Sequence, residues 1–171
     1  VTCLLAITDR YERGANDPLT QTHYHFLNTH DSIACERVFA PDRDAEALLR
    51  LKQIPLFSIE SARPAKEFDC IAFLCMEPLQ FPLIPVLLEL AGIPVLSTER
   101  NDTHPLVVIC GPACRNPEPI LDFVDCVLVG DSEEPLAHIL EILRSSKATH
   151  NTQKLATIAG AIPSARMSRG F

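Results

Sequence analysis

The sequence predicts a doubly wound α/β fold with a parallel sheet of about five strands. Three observations predict it: short apolar runs recur along the chain, amphipathic segments of helical period lie between them, and glycine, proline or aspartate bounds most of the runs. Strands that alternate with helices form a parallel sheet through right-handed crossovers. The 171 residues suffice for one such Rossmann-like domain.

Five segments are predicted strands. Four are continuous apolar runs, a pattern typical of strands that are buried on both faces of a parallel sheet. These runs cover residues 3–7, 70–74, 106–110 and 126–129. Residues 33–39 mix apolar with polar side chains, so we expect this fifth strand to lie nearer an edge of the sheet.

Four helices are predicted between the strands. Asp17 followed by Pro18 indicates an N-cap and a proline at the first helical position. Further helices are predicted over residues 42–52, 80–90 and 131–144. The last of these has the clearest pattern, since its apolar residues recur every three or four positions.

The domain is predicted to span residues 1–144, and residues 145–171 are interpreted as a linker and tail that lead towards a further domain. Residues 145–152 are polar and linker-like. A short helix is predicted over residues 153–159, and an irregular basic stretch from Pro163 onward.

Composition and charge exclude several classes of function. The net charge of −7 argues against binding to the backbone of nucleic acids, which needs surplus lysine and arginine. The longest apolar stretch, residues 79–96, contains Glu89 and three prolines, so no membrane span is predicted. The seven cysteines are odd in number, lie mostly in apolar runs and follow no signal segment, which favours free thiols and a cytoplasmic location.

Ligands of open α/β sheets bind at the carboxyl ends of the strands, near the point where the strand order reverses. Four predicted loops lie at that edge, and we expect them to converge. They cover residues 8–17, 76–80, 111–119 and 130–134.

No metal site or iron–sulfur cluster is predicted in this chain. Cys110 and Cys114 match the first two positions of the C-x3-C-x2-C pattern, but Pro117 occupies the third. His23 and His25 point in different directions on one helix, so they are not expected to chelate one ion. The helical period instead places His23 on the apolar face of its helix.

Several short segments, taken in order and with their spacing, resemble the N-terminal cobalamin-binding-like domain of a family of radical SAM proteins. The first loop contributes Asp9, Tyr11 and Gly14. The other matching segments are residues 36–41, 54–61, 90–94, 111–112, 116–119, 130–131 and 133–134. The resemblance runs from about residue 1 to residue 143.

The resemblance implies a fold of the flavodoxin or cobalamin-binding type and an accessory role. The domain would shape a cofactor or substrate pocket beside a radical SAM catalytic domain, with cobalamin as the candidate cofactor. The chain alone lacks the three-cysteine motif, so by itself it is not expected to perform radical SAM chemistry. The implied cofactor-binding residues are Asp9, Tyr11, Gly14, Cys110, Gly111, Asn116 and Glu133.

Two differences from cobalamin-binding domains indicate how well this chain would bind cobalamin. Tyr11 stands where such domains have a cobalt-ligating histidine, and Cys110 replaces the first glycine of a Gly-Gly pair. We therefore expect weak cobalamin binding or none. One alternative function is a stand-alone module that binds a protein partner and no cofactor. Another is a flavodoxin-type domain for flavin or nucleotide.

Overall fold

The computed structural model describes residues 1–146 and 150–168, which form one six-stranded sheet of order β2-β1-β3-β4-β5-β6. The first five strands are parallel and β6 is antiparallel to β5. This confirms the predicted α/β fold. The strands are β1 (Thr2–Ile7), β2 (Ala34–Phe39), β3 (Cys70–Leu74), β4 (Leu106–Cys110), β5 (Cys126–Leu128) and β6 (Ala165–Met167).

Helices cover both faces of the sheet. Residues of α2, α5 and α6 pack into the core on one face, and residues of α3 and α4 pack into the core on the other. The helices are α1 (Tyr11–Gly14), α2 (Pro18–Asn28), α3 (Arg43–Lys52), α4 (Leu83–Leu90), α5 (Glu133–Ser145) and α6 (Asn151–Ala161).

The predicted signals account for most element boundaries. The Asp17 carboxylate accepts a hydrogen bond from the Thr20 N–H at 2.8 Å and caps α2, and Pro18 is its first helical residue. Every residue of β3, β4 and β5 is buried, as expected for apolar strands between two helical layers. None of the helices in the described part of the chain has the length and apolar character that crossing a bilayer requires.

The strand order places the topological switch point between β1 and β3. The chain moves from β1 outward to β2, then crosses back to β3 on the other side of β1. The helices that follow β1 and β3 therefore leave towards opposite faces, which opens a crevice at the carboxyl ends of these two strands.

The C-terminal segment contains more structure than its sequence predicts. The predicted irregular stretch from Pro163 onward is wrong for residues 165–167, which form β6. This strand pairs with the otherwise free edge of β5. Ile158 of α6 and Ile162, the residue after this helix, insert into the core. The boundary at residue 144 stays a prediction. Residues 147–149 of the predicted linker and 169–171 of the tail lie outside the described residues.

Candidate functional site

A cavity of about 430 Å³ opens at the switch point between β1 and β3. Of the four loops predicted to converge at this edge, it is bordered by the first two, residues 8–17 and 76–80. The start of α2 closes one side. The lining residues are Ile7, Thr8, Asp9, Glu12, Arg13, Gly14, Asn16, Asp17, Thr20, Leu74, Met76, Glu77 and Gln80.

Hydrogen bonds hold the two loops together at the base of the cavity. The buried Thr8 hydroxyl lies 3.0 Å from both the Leu74 carbonyl oxygen and Gln80 Oε1. Gln80 Oε1 also accepts the Met76 N–H at 2.8 Å. The Gln80 side chain thereby fixes the turn after β3 to the end of β1, which gives the cavity a preorganised base.

Carboxylates dominate the polar lining of the cavity. Four acidic side chains contribute to the wall, against one arginine. Asp9 accepts the Arg10 N–H at 2.8 Å and pairs with Arg13 at 3.3 Å, so the single cation is already partnered. The excess of negative charge favours a neutral or positively charged ligand. The four acidic residues are Asp9, Glu12, Asp17 and Glu77.

The first loop sends its predicted site residues to two different places. Asp9 and Gly14 line the cavity, whereas Tyr11 lies on the other side of α1. The Tyr11 ring is 57% exposed and packs edge-on against Phe39 at 5.2 Å between centroids. A Cβ on Gly14 would lie 2.7 Å from Ile7 Cγ2, so glycine allows α1 to pack closely on β1.

Cys110 and Gly111 belong to the packed interior rather than to the cavity wall. The Cys110 thiol is buried 3.6 Å from the Phe73 carbonyl oxygen, and burial raises its pKa far above the usual range. Gly111 has a φ of +105°, and a Cβ there would lie 2.4 Å from the Cys75 carbonyl oxygen. The glycine is therefore required by the close approach of this protein's own backbone.

The remaining two predicted residues do not line the cavity. Asn116 is exposed beyond the turn that follows β4. Glu133 lies at the start of α5, where its carboxylate is 3.6 Å from His23 Nδ1. The structure thus brings together Asp9 and Gly14 only, and the positions of the other five lie outside this crevice.

His23 forms a buried link between α2 and α5. Its Nδ1 lies 2.9 Å from the Leu19 carbonyl oxygen, to which it donates, and its Nε2 is hydrogen-bonded to the Ser132 hydroxyl at 2.8 Å. Both ring nitrogens are therefore occupied, and neither His23 nor Ser132 lines the cavity. The helical spacing of Leu19, His23 and Leu27 was the signal in the sequence for this buried position.

The sequence predicts the loop after β3 at the edge of the site, but it does not indicate which side chains form the base of the cavity. Thr8, Met76 and Gln80 form the base of the cavity, and their position directly after a buried strand was the available signal. Polar residues at strand ends are common, so nothing in the sequence separated these three from other loop residues.

The lining lacks the imidazole by which cobalamin-binding domains ligate cobalt. No imidazole or thiol is among the residues that line the cavity, and the Tyr11 phenol is turned away from it. Among the described residues, no group of three histidine, cysteine, aspartate or glutamate side chains is arranged to hold a metal ion.

The strand order defines a flavodoxin-type α/β domain, and its cavity lies at the edge of the sheet where ligands of such domains bind. Residues 20–164 match the profile of the N-terminal region of radical SAM proteins, and the chain belongs to that family. No curated protein and no solved structure matches the sequence significantly. The family assignment supports association with radical SAM chemistry as an accessory N-terminal domain.

Proposed function

We propose that this domain binds a small polar molecule in the switch-point cavity and presents it beside the catalytic domain of a radical SAM protein. The observation that carries the proposal is the location of the cavity at the carboxyl ends of β1 and β3. Its volume falls within the range of small-molecule sites, about 300–1,000 Å³. The family assignment supplies the catalytic context.

The lining indicates the chemistry of the ligand. Ile7, Leu74 and Met76 offer an apolar surface for its less polar part. The carboxylates around the opening accept hydrogen bonds from hydroxyl or amino groups, and they repel phosphates and other anions. A neutral or cationic molecule with several hydrogen-bond donors therefore fits better than a nucleotide or flavin phosphate.

Cobalamin is not required by this proposal. The cavity lining offers cobalt no imidazole and no thiol, and the Tyr11 side chain would have to leave its contact with Phe39 to approach it. In the proposed role the domain acts by shaping the pocket, so the ligand is held by hydrogen bonds and packing.

The experiment is native mass spectrometry of the protein at its natural length, isolated from its own cells. The Met76→Trp variant fills the cavity and keeps the backbone hydrogen bond to Gln80. Leu79→Trp is the matched control, because Leu79 is 86% exposed in the same turn and does not line the cavity. We expect a bound small molecule in the wild type and in Leu79→Trp, and a loss of at least tenfold in Met76→Trp.

Two results would overturn the proposal. One is a wild-type protein that carries no small molecule, and the other is full retention of the molecule in Met76→Trp. Thermal unfolding of both variants accompanies the measurement, so that a general loss of folding is separated from a filled cavity.

A further inference from the structure

An apolar groove lies beside the cavity, between α3 and the segment that follows it. We call it the α3 groove, and it has a volume of about 430 Å³. Tyr11, Leu48 and Ile59 are 57%, 53% and 45% exposed in it, although each is a large apolar or aromatic residue. Its principal apolar lining residues are Tyr11, Phe39, Pro41, Leu48, Phe57 and Ile59.

The helix that forms one wall of this groove contacts the core through the half-buried Leu49, and most of its other residues are exposed. None of the ten residues of α3 is buried, whereas α2, α4, α5 and α6 each bury at least one residue. Single exposed apolar residues are normal on protein surfaces, but a contiguous apolar patch marks a contact site. Four of the eight large hydrophobic residues that are exposed in the described part of the chain line this one groove.

The groove and the cavity are neighbours. Glu12 lines both, and the single turn of α1 separates them, with Tyr11 on the groove side and Gly14 on the cavity side. A partner seated in the groove would therefore border the opening of the cavity. Small-molecule sites are common at such domain interfaces.

We propose that the α3 groove is the docking surface for the radical SAM catalytic domain, which would cover it with an apolar segment. The inference rests on the proposed function, because it places that domain next to the cavity. The family assignment makes a radical SAM domain the expected neighbour of this one.

The charges favour this occupant over a second copy of the chain. Each copy carries a net charge of −7, so self-association would have to overcome the overall repulsion between two negatively charged chains. At the rim of the groove Arg10 pairs with Asp42 at 2.8 Å and Glu12 adds one further carboxylate. The rest of the lining is apolar or aromatic, so apolar contact rather than charge drives the docking.

The experiment is site-specific photo-crosslinking in the protein at its natural length, expressed in its own cells. A photoreactive phenylalanine analogue replaces Leu48 in the groove. The same analogue at Leu96, which is 39% exposed and does not line the groove, is the matched control. Mass spectrometry of the crosslinked peptides then identifies the surface that lies on the groove.

We expect crosslinks from position 48 to peptides of a domain that carries the radical SAM three-cysteine motif, at least fivefold more abundant than from position 96. Crosslinks to a second copy of this chain, crosslinks to an unrelated protein, or no enrichment over position 96 would overturn the inference. The crosslinking result does not depend on a bound small molecule. The proposed pocket is tested separately by the Met76→Trp comparison, so failure of the docking surface can be distinguished from failure of the pocket.

Discussion

Helices α5 and α3 lie on opposite faces of the sheet and differ sharply in how the fold covers them. Six of the thirteen residues of α5 are buried, and α2 and α6 pack beside it. None of the ten residues of α3 is buried, although α3 carries Leu48, Leu49 and Leu51. The apolar side chains of α5 are therefore covered within this chain, whereas part of the apolar surface of α3 stays exposed to solvent.

The difference in burial between α5 and α3 indicates which side chains contribute to the stability of the isolated domain and which are free to contact a partner. Side chains on the α5 face are held by packing, so changes there should unfold the protein. The exposed side chains of α3, such as Leu48, have little packing to lose in the isolated chain, so changes there should affect association more than stability. The predictions below test this division.

The largest effect is expected from Leu140→Ala in α5. Leu140 is fully buried, and truncation of such a leucine costs about 2–5 kcal/mol through lost burial and the remaining cavity. Leu48→Ala in α3 is the matched control, and we expect a change within about 0.5 kcal/mol. Chemical denaturation measures both, and equal losses of stability would contradict the division between the two faces.

Gly111→Ala tests whether the tight packing extends to the carboxyl edge of the sheet. The new Cβ would meet the Cys75 carbonyl oxygen at 2.4 Å in a backbone of positive φ, so we expect a loss of about 2–4 kcal/mol. Gly130→Ala shares a positive φ but meets nothing within 4 Å, and its cost should be about 1–2 kcal/mol. A Gly111→Ala variant as stable as Gly130→Ala would contradict the close approach of the Cys75 backbone at this position.

Ser132→Ala tests the hydrogen bond that links His23 of α2 to the start of α5. It leaves His23 Nε2 buried without its hydrogen-bond partner, which costs about 1–3 kcal/mol. Ser145→Ala, near the exposed end of the same helix, should change the stability by less than about 0.5 kcal/mol. Thermal unfolding compares the two variants, and the prediction is wrong if Ser145→Ala is the more destabilising.

The smallest effect is expected from hydroxocobalamin. Because no imidazole or thiol lines the cavity, titration monitored by visible absorption and calorimetry should show weak binding or none. Replacement of His25 or His30 should leave any residual binding unchanged. Binding at micromolar concentration or tighter would contradict this expectation, and an absorption spectrum of imidazole-bound cobalt would identify a histidine ligand.

Reactivity of the thiols offers an independent check of the core. All seven cysteines are buried, and burial raises the pKa of Cys75 to about 11 and that of Cys114 to about 12. A buried thiol with a raised pKa contains little of the reactive thiolate at neutral pH. We expect slow labelling of the native protein and complete labelling after unfolding. Rapid labelling of all seven in native buffer would refute the strand assignments.

The strands and helices were predictable because their signals are local. A continuous apolar run of five residues is sufficient to indicate a buried parallel strand, as in β3 and β4. The Asp17–Pro18 pair is sufficient to begin α2, because the cap and the fixed φ act within one turn. Strand β6 was missed for the converse reason, since its three residues form a strand only through pairing with β5.

The site was predicted at the level of loops rather than of side chains. The carboxyl edge of β1 and β3 follows from the fold class, and the cavity lies there. Tyr11 and Gly14 are three residues apart, yet α1 turns them to opposite sides of the chain. Tyr11 and Gly14 are separated because the single turn of α1 packs against Phe39 and Ile7. The spacing of residues in the sequence does not specify this packing.

The sequence by itself determined the fold class, most elements and the edge of the sheet at which the cavity lies, because periodicity and capping act over a few residues. Only the tertiary structure decided that Cys110 and Gly111 serve packing, that His23 joins two helices, and that most of α3 remains exposed. These properties depend on contacts between residues that are distant in the chain, and burial and hydrogen-bond partners are defined only once those residues meet.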